Sequence, residues 1–508
     1  MSPGESTTQS AASGTAAEVI AWLGAEPSVD PVADLPDMLR QLERLLRSED
    51  VMPLQLHRAL ELFVVRVADA REALVPRLTG RSLPLPSDLF NAVSTLERVV
   101  ISMANGYSRV LSDVGSAMVT QSRKPEVLSA RALALLTDAV WLAALKGASP
   151  RAGVWNEAHR VFHMATVAAG SEALPAELPR GAVQGAYKAM LAMAAAQPEA
   201  LTAREQEWLY QYLEQTAWRA ELSTKPKTGI ETWDYWIDPA QDAGPIAMVR
   251  RSPPPVEGMI YFSAAELARG ATGHLERIDA ALGAGGEVIP GASLPELPAG
   301  LPPQEIAKLL RSLRERWAMP PRREQMRRHN DYTVDVCIGL RSIWRLKHAG
   351  EEAAQVMSWR VQNESPGGYA IMSLEVASNT LSPGMAVALR RQVGAQWSVC
   401  VVRWVRSDAP DRVEVGLQTI SNESTPVRVG FRGGEGPGEM MPGLVLPPVP
   451  GIRSHQAILA PSGAYQSRRF LLVHEGEHIY VAQGRLLSLD MQTSHVELFQ
   501  FEYDPYPL

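Results

Sequence analysis

Cysteine is scarce in this sequence. Its 508 residues include two cysteines, Cys337 and Cys400, and both lie in apolar, strand-like runs. Nothing in the sequence suggests a disulfide framework, which needs several paired cysteines, and a reducing compartment is the expected environment. We therefore interpret both thiols as small buried core residues.

We also predict no leader and no membrane span, and the sequence has no excess of positive charge. The opening residues, MSPGESTTQSAASGTAAE, have neither a basic nor an apolar region, so we predict no signal peptide and a disordered segment over 1–15. The most apolar helical stretch, ALALLTDAVWLAALKGA, carries Asp138 and Lys146 and is short for a bilayer. The net charge of −7 gives no general attraction to nucleic acid or anionic lipid. We expect a soluble cytoplasmic protein without a membrane span.

Motifs of common enzyme classes are missing as well. There is no P-loop, dinucleotide-binding fingerprint or nucleophile elbow. HEGEH at 474–478 matches the zinc-protease pattern HExxH, but that chemistry needs both histidines on one helix. Strand-like residues flank it and Gly476 is central, so we predict a hairpin turn. His159 and His163 have the spacing of a helical metal pair but no further ligand nearby, which favours packing. We predict no enzyme, catalytic residue, metal or cofactor.

The first half of the chain has helical periodicity. The whole chain is long enough for about three domains, and residues 16–220 contain one amphipathic stretch after another. This predicts an all-helical domain, either a bundle or solenoid-like. The stretch from Ser87 to Val114 could form one helix or two, because Gly106 weakens its middle. Residues 221–319 are predicted to be a loop-rich connector with two helices.

After Pro320 the period changes to two. Six strand candidates, separated by turn signals, are YTVDVCIGL, VMSWRVQ, GYAIMSLEV, MAVALRRQ, WSVCVVRWVRS and RVEVGLQTI. Their density predicts a six-stranded antiparallel barrel over 320–425, with a long loop around RLKHAGEE. A Gly/Pro-rich spacer and a β-rich C-terminal extension are predicted over 426–508. The predicted fold class is multidomain α + β, with helices first and the barrel second.

Two short motifs flank the first strands of this predicted barrel. PRREQMRR at 321–328 contains Arg-Arg-x-x-x-Arg, formed by Arg322, Arg323 and Arg327, and NESPGG at 363–368 contains Asn-x-Ser-x-x-Gly. Together, in this order and on a six-stranded barrel, they resemble the PilZ domain family. The resemblance covers residues 320–425 and implies a receptor for cyclic di-GMP.

The chemistry of the two motifs suits such a ligand, which has two phosphates and two guanines. A guanidinium can donate two parallel hydrogen bonds to a guanine edge or a phosphate, and it can stack on a base. A glycine lets the backbone approach closely. By the resemblance, Arg323 and Arg327 are the main ligand-binding arginines and Arg322 is auxiliary. The turn residues that the resemblance implies as the second clamp are Asn363, Ser365 and Gly368.

Other interpretations remain open at this point. Arginine-rich turns are commonly solvated, and Asn-x-Ser with glycine is ordinary turn chemistry. The chain could be a ligand-independent protein-interaction scaffold with a degenerate PilZ domain. The arginines clustered over 311–328 could bind nucleic acid, but no aromatic platform or recognition helix accompanies them. The favoured prediction is a cyclic di-GMP effector in bacterial signalling, whose helical domain contacts an unidentified protein partner. Motility, pili and biofilm formation are outputs that the resemblance implies.

Overall fold

The protein, studied as a computed structural model, divides into two compact units. The helical unit comprises residues up to Arg322 except two short segments, and the barrel unit comprises Arg323–Leu508 together with those segments, Ser82–Leu85 and Glu199–Thr202. The structure describes residues 6–49, 51–113, 124–167, 181–225, 235–283, 290, 294–320, 327–433, 436–437, 439–465, 469–476 and 478–504.

The helical unit begins with eight described α-helices, which confirms the predicted helical first half. They are α1 (Ser6–Gly24), α2 (Leu35–Arg47), α3 (Pro53–Thr79), α4 (Ser87–Asp113), α5 (Pro125–Leu145), α6 (Val154–Val167), α7 (Ala182–Ala195) and α8 (Ala203–Thr216). Helix α1 includes part of the segment 1–15 that was predicted to be disordered. Its run of alanine, serine and threonine has no strong helix breaker before Gly14.

Two of these helices resolve questions that the sequence left open. Helix α4 is continuous, and a Cβ at Gly106 would lie 2.9 Å from a methyl carbon of Leu60. The glycine therefore allows α3 and α4 to pack closely and does not divide the helix. Helix α5 is long and apolar enough to cross a membrane by length and composition, but 72% of its most apolar stretch is buried within the structure. This is also how the core helix of a soluble bundle behaves.

A small sheet and two helices complete the helical unit. Strands β1 (Glu221–Ser223), β2 (Tyr235–Ile237), β3 (Ile246–Ala247) and β4 (Ile260–Ser263) form a sheet in the order β1-β4-β2-β3, followed by α9 (Ala265–Gly283) and α10 (Pro303–Ala318). Helices α9 and α10 lie in the stretch for which two connector helices were predicted, whereas the sheet was not predicted. The aromatic residues Tyr235 and Trp236 of β2 are buried in the core of this unit. The nearby Trp233 lies outside the described residues.

The barrel unit begins with the predicted six-stranded barrel, here called the first barrel. Its strands are β6 (Thr333–Ile338), β7 (Met357–Ser365), β8 (Gly368–Ser373), β9 (Ala386–Arg390), β10 (Ser398–Ala409) and β11 (Arg412–Ser421). They close in the antiparallel order β7-β6-β9-β10-β11-β8, and β8 pairs with β7 again. A two-residue strand, β5 (Arg328–His329), extends the edge of β7. Alternate side chains such as Val361, Val402 and Val415 fill the interior.

The prediction of a long loop between the first two barrel strands is wrong. Helix α11 (Leu340–Ala349) occupies this stretch. Leu340, Ile343 and Leu346 recur at helical spacing on its buried face. The alternating pattern of the neighbouring strands concealed this short amphipathic helix.

The C-terminal segment is β-rich, as predicted, and its strands form a second barrel. It is built from β12 (Thr425–Gly433), β13 (Gly436–Pro437), β14 (Met441–Leu446), β15 (Ala457–Pro461), β16 (Arg469–Glu475), β17 (Ile479–Gln492) and β18 (Val496–Tyr503). The sheet order is β13-β12-β14-β15-β18-β17-β16, and β12 also pairs with β16 to close it. Gly443 and Pro442 lie within β14. The glycines and prolines that predicted a spacer therefore lie partly in strands.

The two barrels share an apolar core within the barrel unit. All five residues of β9 are buried, because Val387 and Leu389 face the first barrel's interior while Ala386 and Ala388 pack in the shared core. Both cysteines are also buried, which confirms that interpretation. Burial raises the pKa of the Cys337 thiol to about 11 and that of Cys400 to about 12, so both remain protonated at neutral pH.

Candidate functional site

The NESPGG turn joins β7 to β8 as a two-residue hairpin. Ser365 pairs with Gly368 across it, and the Ser365 hydroxyl donates to the Gly368 carbonyl at 3.4 Å. A Cβ at Gly368 would lie 2.0 Å from the carbonyl oxygen of Leu417 on β11. No side chain fits there. The glycine is therefore required by close contact between strands, in addition to any contact with a ligand.

The last arginine of the first motif meets the first residue of the second. The Arg327 guanidinium donates to the Asn363 side-chain oxygen at 3.1 Å. Strand β5 makes this possible, because its Arg328 pairs with Glu364 and its His329 with Asn363. Two motifs that are 36 residues apart in the chain are thus brought together on one edge of the first barrel. Arg322 and Arg323 lie outside the described residues.

An aromatic side chain lies on the same outer face of the barrel. Asn363 on β7 is opposite Ala370 on β8, which is opposite Gly416 on β11, and Gly416 is opposite Trp404 on β10. A Cβ at Gly416 would lie 2.0 Å from the Trp404 indole nitrogen, so the ring lies over the glycine. The indole therefore extends back along this row toward Asn363. Arg406 lies over the same ring, 5.2 Å from its centroid.

The sequence interpretation missed Trp404. The tryptophan is the last residue of a mostly apolar strand segment, SVCVVRW, and its sequence context is typical of one more core residue. A β-bulge between Val402 and Trp404 shifts the pairing and places the indole on the outer face. The sequence did contain one signal for this position, because a tryptophan on one strand and a glycine on the next can indicate a ring that packs over the glycine.

The acidic residues near the turn are paired with arginines. Glu364, between Asn363 and Ser365, accepts hydrogen bonds from the Tyr332 hydroxyl at 2.7 Å and from Arg391 at 2.6 Å. Burial, followed by the bond to Glu364, raises the pKa of Tyr332, so the hydroxyl remains a donor. Pairing offsets the charge of Glu364, which would otherwise repel an anion at this edge.

A second acid–arginine pair connects the link between β5 and β6 to β7. Asp331 forms two hydrogen bonds of 2.6 Å with Arg360. The bond from Arg360 is the main reason why the pKa of Asp331 falls below its usual value. The carboxylate is therefore ionised and matched at neutral pH.

The other motifs have structural explanations. HEGEH forms the turn between β16 and β17, where His474 pairs with Tyr480 and bonds the Pro426 carbonyl at 3.0 Å, so the hairpin prediction is confirmed. His159 is buried and bonds the Tyr187 hydroxyl at 2.8 Å and the Ala243 carbonyl at 3.0 Å. Among the residues that the structure describes, no group of three or more His, Cys, Asp or Glu side chains could hold a metal.

Part of the predicted arginine cluster also supports the fold. Arg311 pairs with Asp279 at 3.1 Å, and Arg316 donates to the Ala196 carbonyl at 2.7 Å. These contacts hold α10 within the helical unit. The basic cluster over 311–328 therefore cannot be treated as one continuous binding surface.

Three family models match the chain in order. The models for the cyclic-di-GMP receptor FimW match as its N-terminal domain at residues 17–227, its middle PilZ domain at 345–426 and its C-terminal beta-barrel domain at 429–504. A relative, the cyclic-di-GMP receptor FimW of Pseudomonas aeruginosa strain PAO1, is 28% identical over 146 residues. That alignment covers 28% of this chain and 23% of the relative, so the chain spans less than a quarter of the relative's length in this match.

The middle model coincides with most of the first barrel and includes the NESPGG turn, and it begins after the arginine motif. The N-terminal and C-terminal models coincide with the helices α1–α8 and with the second barrel. Residues 345–426 therefore belong to the PilZ domain family, with a helical region before this barrel and a second β-barrel after it.

Proposed function

We propose that this protein is a cyclic di-GMP receptor that binds the nucleotide on the outer face of its first barrel. The contact between Arg327 and Asn363 is the observation that carries the proposal. It brings the last arginine of one motif to the first residue of the other, as joint binding of one small ligand requires. The names of the matching models and of the relative, which describe cyclic-di-GMP receptors, support the same ligand.

Each residue of the site has a chemical role in this proposal. Arg327 and Arg323 would bind a phosphate or the O6 and N7 edge of a guanine through paired donors, with Arg322 in an auxiliary role. Asn363 and Ser365 would bind a guanine edge or phosphate, and Gly368 would keep the turn close to the barrel wall. Trp404 lies in the same cross-strand row as Asn363 and would stack on a base.

The ligand would act as a signal and not as a substrate. Arg322 and Arg323 follow α10 in the chain and precede β5, so a nucleotide bound to them and to Asn363 would restrict the segment that joins the two units. Such a restriction can shift the conformations available to a partner-binding surface. The protein would then be a non-enzymatic cytoplasmic effector, with output through a protein that binds the helical unit.

Isothermal titration calorimetry of the full chain with cyclic di-GMP tests the proposal. We expect a Kd of about 1 μM or tighter, equivalent to about 8 kcal/mol. Arg327→Ala and Arg323→Ala should each weaken binding by about 2 kcal/mol or more, because each removes a charged contact to the ligand. A heat of mixing equal to that of buffer for the unaltered protein would reject the receptor function.

A matched control comes from the second barrel. Arg485 is an outward arginine paired with Glu502 on β18, so Arg485→Ala should leave cyclic di-GMP binding unchanged. If Arg323→Ala and Arg327→Ala also left both nucleotide binding and partner binding unchanged, the ligand-independent scaffold would be the better explanation.

A further inference from the structure

The helical unit contains an apolar groove that the proposed nucleotide site does not involve. Its volume is about 530 Å³, within the range of ligand and peptide pockets. Helices α3, α5 and α8 form its walls, and Val67 and Val75 are buried at its base. The apolar residues that line it are Val64, Val67, Ala68, Val75, Pro76 and Leu135.

One arginine of the groove is already engaged by the fold. The Arg71 guanidinium packs against the rings of both Trp141 and Tyr210, 4.6 and 4.3 Å from their centroids. It donates to the Tyr210 hydroxyl at 3.2 Å and to Asp138 at 3.4 Å, while Tyr210 donates to Asp138 at 2.5 Å. Arg71 therefore stabilises the packing of α3, α5 and α8 and is matched by Asp138.

The lining residues carry more negative charge than Arg71 can match. Glu72, Asp138 and Glu207 line the groove, so three carboxylates face one guanidinium. One oxygen of Glu207 accepts a bond from the Gln211 amide at 2.6 Å. The other is buried and has no hydrogen-bond partner among the described residues. A buried acceptor without a donor is destabilising, because it has lost its bonds to water. A cation entering the groove would supply the donor.

A backbone acceptor adds to this imbalance. Pro76 lies inside α3 and has no amide hydrogen, so the Glu72 carbonyl lacks its usual helical donor four residues later. Both residues line the groove. The groove thus combines an apolar base with an excess of acceptors at its acidic side.

The titration behaviour of the carboxylates agrees with this description. Burial is the main cause that raises the pKa of Asp138 and of Glu207, and Arg71 only partly opposes it. Their ionised forms are therefore incompletely compensated within this unit. An added positive charge would favour ionisation of both groups.

We propose that this groove binds an amphipathic helical segment of a partner protein, with apolar side chains over Val67 and Val75 and one lysine or arginine beside Glu207. The charge complementarity and the buried, unpartnered oxygen of Glu207 favour a basic segment over a neutral or acidic one. The inference deepens the proposed function, since it takes the helical unit as the output side and specifies the chemistry of its partner.

Fluorescence anisotropy with the full chain tests the groove directly. The probe is a fluorescein-labelled helical peptide of leucine, alanine and glutamine, with leucines at positions i, i+3, i+4 and i+7 and one central arginine. A second probe has glutamate in place of the arginine. We expect the arginine peptide to bind at least about tenfold more tightly, or about 1.4 kcal/mol. Equal affinities, or no binding of either peptide, would overturn the proposal.

Two variants locate the binding. Glu207→Gln should remove most of the preference for arginine, because it keeps the shape of the side chain and removes its charge. Ala68→Trp should fill the exposed side of the groove and weaken binding at least about tenfold. Val65→Trp is the matched control, since Val65 lies on the same helix, is 60% exposed and does not line the groove. Equal losses for the two tryptophan variants would contradict binding in the groove.

Two further measurements separate this inference from its alternatives. Cyclic di-GMP titration of Glu207→Gln should match the unaltered protein, so failure of the nucleotide proposal and failure of the groove proposal give different results. Sedimentation of the full chain tests a second copy as the occupant. A concentration-dependent dimer that Ala68→Trp dissociates would replace the partner segment with self-association and overturn the proposal.

Discussion

The two barrels of this protein have similar strand orders but use their glycines and aromatic rings differently. In the first barrel, Gly416 makes room for the Trp404 ring on the outer face. In the second, a Cβ at Gly484 would lie 2.2 Å from the ring of Phe470, which is buried in the core. In both barrels a glycine makes room for the aromatic ring opposite it. The ring lies on the outer surface in the first barrel and in the core in the second.

Their cores differ accordingly. The first barrel's interior is rich in valine and contains the buried Trp359, whereas Phe431, Phe470, Phe499 and Phe501 pack together in the second. The first barrel carries a polar turn in contact with Arg327 at one edge, whereas the polar HEGEH motif of the second barrel forms a hairpin in which His474 bonds the Pro426 carbonyl. The comparison teaches that barrel architecture alone does not create a nucleotide site. The proposed site depends on specific side chains on the outer face.

The largest expected difference concerns the aromatic core of the second barrel. Phe470→Ala should reduce the free energy of unfolding by about 3–5 kcal/mol, because it leaves a cavity among the other phenylalanines. Chemical denaturation monitored by circular dichroism measures this loss. A change below about 1 kcal/mol would show that the second barrel does not depend on its ring cluster.

A matched pair of substitutions sharpens the comparison. Gly484→Ala should reduce stability by about 1–3 kcal/mol, because Phe470 has no free space in the core. Gly416→Ala should cost less, since the partly exposed Trp404 ring can turn toward solvent, but it should weaken cyclic di-GMP binding. Denaturation and calorimetry on both variants check this. Equal stability losses with unchanged binding would remove the functional distinction between the two glycines.

Trp404 itself should matter more for binding than for stability. Trp404→Ala should weaken cyclic di-GMP binding by about 1–2 kcal/mol, as expected for the loss of one base-stacking contact. Calorimetry measures the affinity, and quenching of tryptophan fluorescence by the nucleotide should also decrease. Trp344 in α11, whose indole donates to the Val427 carbonyl, provides a tryptophan outside the site. Trp344→Phe should leave the affinity unchanged.

The smallest effect is expected for an exposed ion pair on the second barrel. Arg485→Ala removes the pairing with Glu502, in which the two side chains are 56% and 38% exposed. The free energy of unfolding should fall by less than about 1 kcal/mol. A larger loss in denaturant melts, or any loss of nucleotide affinity, would show that this face of the second barrel contributes more than the comparison assumes.

Much of the fold was predictable because its periodicity is local. The six strands of the first barrel, the helices of the first half and the HEGEH hairpin follow from side-chain alternation or helical spacing in single segments. Helix α11 and strand β14 were missed because each is short, and its pattern is masked by adjacent strands or by glycine and proline. The small sheet of β1–β4 escaped prediction for the same reason, since its strands have two to four residues.

The candidate site was likewise predicted in part. The two motifs identified Arg327, Asn363, Ser365 and Gly368 from residue type and order, and their interpretation as ligand contacts stays a prediction until binding is measured. Trp404 could not be assigned from its strand, because a one-residue bulge decides which face it occupies.

By itself, the amino-acid sequence determined most of the helices and strands and the two polar motifs that lie beside them. The tertiary structure decided which of those residues meet. Closure of the first barrel sets β7 beside β5 and β8, and this pairing brings Arg327 to Asn363. Packing of α3 against α8 leaves Glu207 with a buried oxygen in an apolar groove. Local sequence patterns predict backbone conformation. Contacts between distant residues depend on strand register and helix packing, which arise only when the whole chain folds.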